Sequence, residues 1–140
     1  MGPGSANYVE ISFQNPFLIG VAGYDPPLQF IHEKDLGRIL TNFTLEPRSG
    51  VFNLAGEGVI QYSELAQLFG RRLVKLPSII AYPLVRLSWK LRFQSDAQAE
   101  GLDLIRYPII ISTAKLKQIT GFRCLYTAKD AVRSFVTSNL

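Results

Sequence analysis

The run Gly50-Val-Phe-Asn-Leu-Ala-Gly56 constrains the fold more than any other stretch of this chain. It is short, apolar and closed by glycines, so it reads as a strand buried on both faces, as strands are inside a parallel sheet. A helix follows. Ser63 is expected to cap it, Leu65, Leu68 and Phe69 supply its apolar residues, and Gly70 stands where a left-handed C-terminal residue is wanted. A strand of this kind followed by a helix suits an α/β fold, here an α+β fragment.

The other elements are read in the same way. Residues 6–27 are extended with turns at Asn15-Pro16, Gly23 and Asp25-Pro26-Pro27. Residues 28–32 form a short strand that enters a helix at Asp35, the expected N-cap, with Leu36, Ile39, Leu40 and Phe43 on one face. Pro47 and Gly50 end that element. Residues 71–77 read as an edge strand interrupted by Arg72 and Lys75. Residues 78–92 read as a helix with Ile80, Leu84, Leu87 and Leu91 facing inward, in which Pro83 must sit in the first turn or form a kink. Residues 94–103 are a polar loop or short helix, and 106–111 are a further strand. A helix from Lys115 to Thr120 stops at Gly121. Thr127 and Asp130 form a capping box for a last helix that buries Val132, Phe135 and Val136.

With 140 residues the chain is long enough for one domain with a core, and 47% hydrophobic against 19% charged residues is a globular balance. Residues 1–5 (Met-Gly-Pro-Gly-Ser) read as a cloning scar and 6–140 as one domain fragment. A net charge of +4 permits an anionic partner without demanding one, because the basic residues are spread in small groups, Arg71-Arg72-Lys75 and Arg86-Lys90-Arg92. Cys124 is the single cysteine, so no internal disulfide forms, and no Cys/His set has zinc spacing. A cytoplasmic location is expected. No leader peptide is expected, and the longest apolar region, 76–89, is too short and too interrupted to span a bilayer.

Four ionisable residues meet at the strand-to-helix junction His32-Glu33-Lys34-Asp35. A histidine among carboxylates suits acid–base work, but no nucleophile stands nearby. The simpler reading makes Asp35 a cap, Glu33 a partner of the helix dipole and His32 a packed junction residue. Gly56-x-Gly58 lacks the third glycine of a dinucleotide turn, since Gln61 takes its place. It is a plain strand-to-helix turn. Arg86 and Lys90, beside Trp89, could meet phosphate or a membrane surface, but a solvated basic face is the default. Arg72 and Arg106 lie beside strand ends, where clefts form, and are the better candidates for an anionic ligand. Cys124 has no activating neighbour in sequence and reads as a structural thiol.

The stretch 28–40 (LQFIHEKDLGRIL), the run 50–72 and the segment 107–136 together resemble the C-terminal half of the extended short-chain dehydrogenases/reductases, the NAD-dependent epimerases and dehydratases. The resemblance covers roughly residues 16–138. It rests on an aromatic-aliphatic-His-x-x-Asp-aliphatic stretch, an Asn-aliphatic-small-Gly strand, and a Lys-x-x-x-x-x-Gly-aromatic stretch carried by Lys115, Gly121 and Phe122. Leu28 stands where sugar-nucleotide enzymes of the family often have Arg, and Ser112 where they often have Asp. Leu125 stands near where a Pro is usual.

The resemblance implies a C-terminal substrate-binding region, with several helices packed on a few short strands and the Gly-rich Rossmann half absent. That missing half would carry NAD(P) and a Tyr-x-x-x-Lys pair. The nearest approach to such a pair here is Tyr82 with Arg86. The chain alone is therefore expected to be inactive, with no catalytic, cofactor-binding or metal-binding residues, and with Arg72 and Arg106 as substrate contacts. Its expected partners are the missing half, a small-molecule and possibly nucleotide-sugar substrate, and further copies of itself, since the 50–56 strand would lie open without its sheet. Neither nucleic acid nor membrane is expected. The competing readings are a stand-alone binding or regulatory module and, behind it, a basic nucleic-acid or membrane-surface binder.

Overall fold

The computed structural model describes residues 17–90, 101–104 and 106–139. The element order is β1 (Phe17–Val21), β2 (Pro27–Leu28), α1 (Glu33–Leu45), β3 (Ile60–Gln61), α2 (Tyr62–Leu68), β4 (Arg72–Leu76), α3 (Ser78–Lys90), α4 (Gly101–Leu104), α5 (Ala114–Thr120) and α6 (Ala128–Asn139). The result is a mixed α/β chain of helices and a few short strands. Its described residues fall into two compact units, 28–60 with 110–139, and 17–27 with 61–109.

The second of these units is built on β1 and β4, which pair in parallel from Phe17↔Arg72 to Val21↔Leu76. Parallel strands need a long crossover, and here the intervening chain supplies it. The expected strand at 71–77 is thus present. Helix α2 buries Tyr62, Leu65 and Ala66. Its N-terminus is not capped by Ser63. Instead the Asp25 carboxylate accepts from the Ser63 amide at 2.8 Å and from its hydroxyl at 2.6 Å. Gly70 does end the helix left-handed (φ +64°), with its amide on Gln67 O and the Arg71 amide on Ala66 O, a Schellman pattern.

Helix α3 packs Ala81 and Val85 against Leu102, with Ile19, Leu76 and Tyr82 around them. The expected inward face was the other one. Ile80, Leu84 and Leu87 are exposed, and Leu91 lies outside the described residues. The helix is apolar on nearly all sides, so periodicity identifies it without saying which side is buried. Small Ala81 lets its backbone approach the strands closely. Pro83 sits inside the helix rather than in its first turn, on the exposed side. The residue whose carbonyl it deprives of a donor, Ile79, is itself 82% exposed. Of the expected segment 94–103, residues 94–100 also lie outside the described residues, and Gly101–Leu104 is a single helical turn.

The other unit centres on α1, α5 and α6. Ile39, Ala55, Ile60, Leu116, Ala128, Ala131, Val132 and Phe135 form its buried residues. On α1, Ile39 faces in and Phe43 meets the Phe52 ring at 5.2 Å, but Leu36 and Leu40 are exposed. The capping box is complete: Asp130 N–H donates to Thr127 Oγ1 at 3.1 Å, and Thr127 N–H donates to the Asp130 carboxylate at 3.0 Å. The Thr127 hydroxyl also donates to that carboxylate at 2.6 Å, and it, then the Thr127 amide, holds the Asp130 carboxyl below the usual range. Gly121 ends α5 in the left-handed region (φ +66°).

Two expected strands do not form. Residues 50–56 are irregular and their Val51 is exposed; only Glu57 makes a bridge, in parallel, to Thr127. Residues 106–111 have exposed apolar side chains, and the Ile111 amide bonds to Gln29 Oε1 instead of a neighbouring strand. A strand-like sequence becomes a strand only beside a long enough partner: in 106–111 the pairing is limited to a single bridge at Ile109, and 50–56 makes none among the described residues.

Gly56 is fixed by packing. A Cβ there would overlap the Phe30 carbonyl oxygen, whereas a Cβ at Gly58 (φ +72°) would meet nothing within 4 Å. Gly56→Ala should therefore cost at least about 3 kcal/mol or prevent folding, against about 1 kcal/mol for Gly58→Ala. Urea denaturation measures both, and equal costs would contradict the Phe30 contact.

Candidate functional site

Helix α1 is capped by His32, not by Asp35. His32 Nδ1 accepts the Lys34 amide at 3.1 Å, and the ring stacks on Tyr126 with centroids 4.0 Å apart. Asp35 stands three residues inside the cap and is fully buried. Its carboxylate accepts the amides of Leu125 (3.0 and 3.1 Å) and Tyr126 (3.0 Å) and Nη1 of Arg38 (2.7 Å). Arg38 also lies over the Phe122 ring at 5.0 Å and donates to the Arg123 carbonyl. Asp35 thus ties the first turn of α1 to the loop before α6.

Burial alone would push the Asp35 carboxyl up. The two amides and the guanidinium outweigh it and hold the carboxyl below its ordinary value of 3.8. All its lone pairs are occupied by scaffold donors, so it is poorly placed to exchange a proton with a substrate.

The other motif residues are also engaged locally. Lys115 Nζ donates to Val51 O at 2.8 Å and lies over Phe52, Asn53 Nδ2 donates to Ser112 O, and Lys117 pairs with Glu57 at 2.7 Å. Cys124 is half-buried with Sγ 3.5 Å from Ala55 O. Burial first, then Asp35 and Glu57, push its thiol up, so little thiolate forms. Among the described residues no three His, Cys, Asp or Glu stand close enough to hold a metal ion. At the Gly56-x-Gly58 turn the Cβ side of Gly56 is packed against the Phe30 carbonyl.

Arg106 is different. Its guanidinium lies over the rings of Tyr24 (5.0 Å) and Tyr107 (5.2 Å), and Nη2 donates to the Tyr24 hydroxyl at 3.2 Å. Its Nε is shut off from solvent without a hydrogen-bond partner among the described residues. The hydroxyls of Tyr24 and Tyr82 favour its charged form. Tyr82 in turn donates to Asp103, and that bond, with some burial, pushes its phenol up. The Tyr82 hydroxyl is thus committed to Asp103, and Arg86, four residues on, is exposed. A planar cation held between aromatic rings suits an anion with paired oxygens, such as phosphate or carboxylate.

Arg72 is exposed on β4 and shares no hydrogen bond, ion pair or ring contact with this cluster. Tyr24 and Asp103 went unread in the sequence, and Tyr82 was noted only for its spacing to Arg86. The three lie 82, 3 and 24 residues from Arg106, and nothing in their spacing marks them as neighbours.

No family model matches the chain. Uncharacterized proteins from Mycobacterium bovis and Mycobacterium tuberculosis are 21% identical to it over 131 residues, covering 94% of this chain and 35% of the relative. The chain thus spans about a third of the length of the curated relatives it matches. Among solved structures, dTDP-glucose 4,6-dehydratase from Bacillus anthracis in complex with NAD is similar, with a TM-score of 0.55 and 14% identity over 94% of this chain and 36% of that one. UDP-N-acetylglucosamine 4-epimerase from Bacillus cereus is similar with a TM-score of 0.57 and 14% identity over 100% of this chain and 44% of that one. The mixed α/β fold of this chain is thus shared with a part, less than half, of each of these two enzymes.

If Asp35 is a strut, its loss destabilises the fold without needing any substrate. Asp35→Asn should cost roughly 3 kcal/mol, since the amide keeps one acceptor and turns a donor toward the loop amides. Because the folded carboxyl lies below its ordinary value, its contribution is complete above about pH 4 and is lost as pH falls through the folded value. Thermal melts from pH 7 to pH 2 should show the wild-type advantage over Asp35→Asn shrinking at the acid end. A pH-independent difference would contradict this account.

Proposed function

We propose that the chain is the substrate-binding C-terminal region of an NAD(P)-dependent epimerase, dehydratase or reductase, not catalytic by itself. One observation carries the reading. Nearly the whole chain superposes on well under half of two enzymes named for nucleotide-sugar dehydration and epimerisation. What the chain keeps and what it lacks support the same division of labour. It keeps a caged arginine suited to a phosphate or carboxylate, and the residues at its junctions are committed to the scaffold. It has no Tyr-x-x-x-Lys pair and no Gly-rich pyrophosphate turn.

In this reading hydride transfer to and from the nicotinamide belongs to polypeptide outside these residues. The substrate is a small molecule, with a nucleotide sugar as the finer form. Leu28 and Ser112 in place of the family's Arg and Asp leave room for a different one. Arg106 is the leading substrate contact and Arg72 the weaker. The single half-buried Cys124 suits the cytoplasm. The exposed Val51 run suits covering by the catalytic half or, without it, by another copy of the chain.

The test uses the protein encoded by the full reading frame. That frame should contain a Gly-x-x-Gly-x-x-Gly turn and a Tyr-x-x-x-Lys pair. In the full enzyme Arg106→Ala should raise KM for the substrate at least about ten-fold with kcat changed less. An unchanged KM removes Arg106 from the substrate site. A frame without the two motifs removes the enzyme reading and leaves a stand-alone binding module.

A further inference from the structure

From sequence alone, Arg86 and Lys90 read as a solvated basic face. The structure adds that the apolar side of α3 next to them is uncovered. Ile79 is 82% exposed, Ile80 52%, Leu84 45% and Leu87 54%, while Ala81 and Val85 hold the helix to its unit from the opposite side. At the α-helical turn angle, Ile79, Pro83, Leu87, Ile80 and Leu84 occupy an arc of about 140°. Arg86 and Lys90 stand at its Ile79 edge. Both are exposed, and neither takes a hydrogen bond or ion pair among the described residues.

The charge distribution points the same way. Between Gly70 and Gln94 the sequence holds six basic residues and no acidic one. Elsewhere acidic residues outnumber basic ones, eleven to nine. The positive balance of the whole chain therefore sits in the stretch that contains this apolar arc.

We propose that α3 seats the protein on an anionic lipid bilayer, with Ile80, Leu84 and Leu87 in the acyl boundary and Arg86 and Lys90 on the lipid phosphates. A bilayer offers an apolar phase bordered by anions in one plane, which is the pattern α3 presents. A second copy fits less well. It would oppose the same cations across the contact with no acidic residue on the helix to offset them. No described helix is long and apolar enough to cross a membrane, so the contact is one of lying on the surface. The inference is separate from the epimerase reading, and it is tested on the protein encoded by the full reading frame, where a covering of α3 by the remaining polypeptide shows as absence of binding.

Flotation with mixed phosphatidylglycerol/phosphatidylcholine vesicles and with phosphatidylcholine alone tests it. That protein should float with the anionic vesicles and lose most of its binding at high salt. Leu84→Glu/Leu87→Glu and, separately, Arg86→Glu/Lys90→Glu should each lower the bound fraction about ten-fold. Circular dichroism melts check that the variants fold, with Leu84→Ser/Leu87→Ser replacing the glutamates if they do not. Absence of binding to anionic vesicles overturns the proposal, as does binding that the substitutions leave unchanged. An oligomer that Leu84→Glu/Leu87→Glu disperses, without vesicle binding by the wild type, assigns the face to a second copy and also overturns it.

Discussion

One buried carboxylate organises the unit that carries the family-like motifs. Asp35 is fully buried on the inner face of α1, and the donors that satisfy it come from a loop about ninety residues away. A charge in that position is tolerable only while those donors are present. Its ionised form therefore demands that Leu125 and Tyr126 present their amides and that Arg38 fold back over Phe122. The His32–Tyr126 stack and the capping box at Thr127 follow from the same placement of the loop.

Features that depend on a few neighbouring residues were legible in the sequence. The capping box at 127–130, the left-handed stops at Gly70 and Gly121 and the strand at 72–76 follow from turn chemistry and local pattern. Features that depend on distant partners were not. Asp35 looks like a cap because it stands at a helix start, and only the 124–126 loop reveals it as a strut. His32, a weaker candidate by residue type, takes the cap. Residues 50–56 have a strand's composition without a neighbouring strand. The inward side of α3 was misread because both sides are apolar, and close approach favoured the smaller residues.

The candidate site was half legible. Arg106 could be singled out by charge and position, but its cage could not, since Tyr24 and Tyr82 come from other elements. Arg72 had the same credentials, but it stands exposed on β4, outside the aromatic cluster around Arg106. Two arginines that look alike in sequence thus separate by what surrounds them. A guanidinium between aromatic rings loses less freedom when an anion arrives than one on a free side chain.

The ionisable junction at the head of α1 acts as scaffold, with Asp35 committed to the Leu125 and Tyr126 amides and to Arg38. Carbon-detected NMR titration of the Asp35 carboxyl, followed together with the Leu125 and Tyr126 amide resonances, tests this most directly. The account predicts a carboxyl that titrates below 3.8, with both amides shifting in step with it. A carboxyl titrating near neutrality, with those amides indifferent to it, would be that of a working acid or base and would contradict the account.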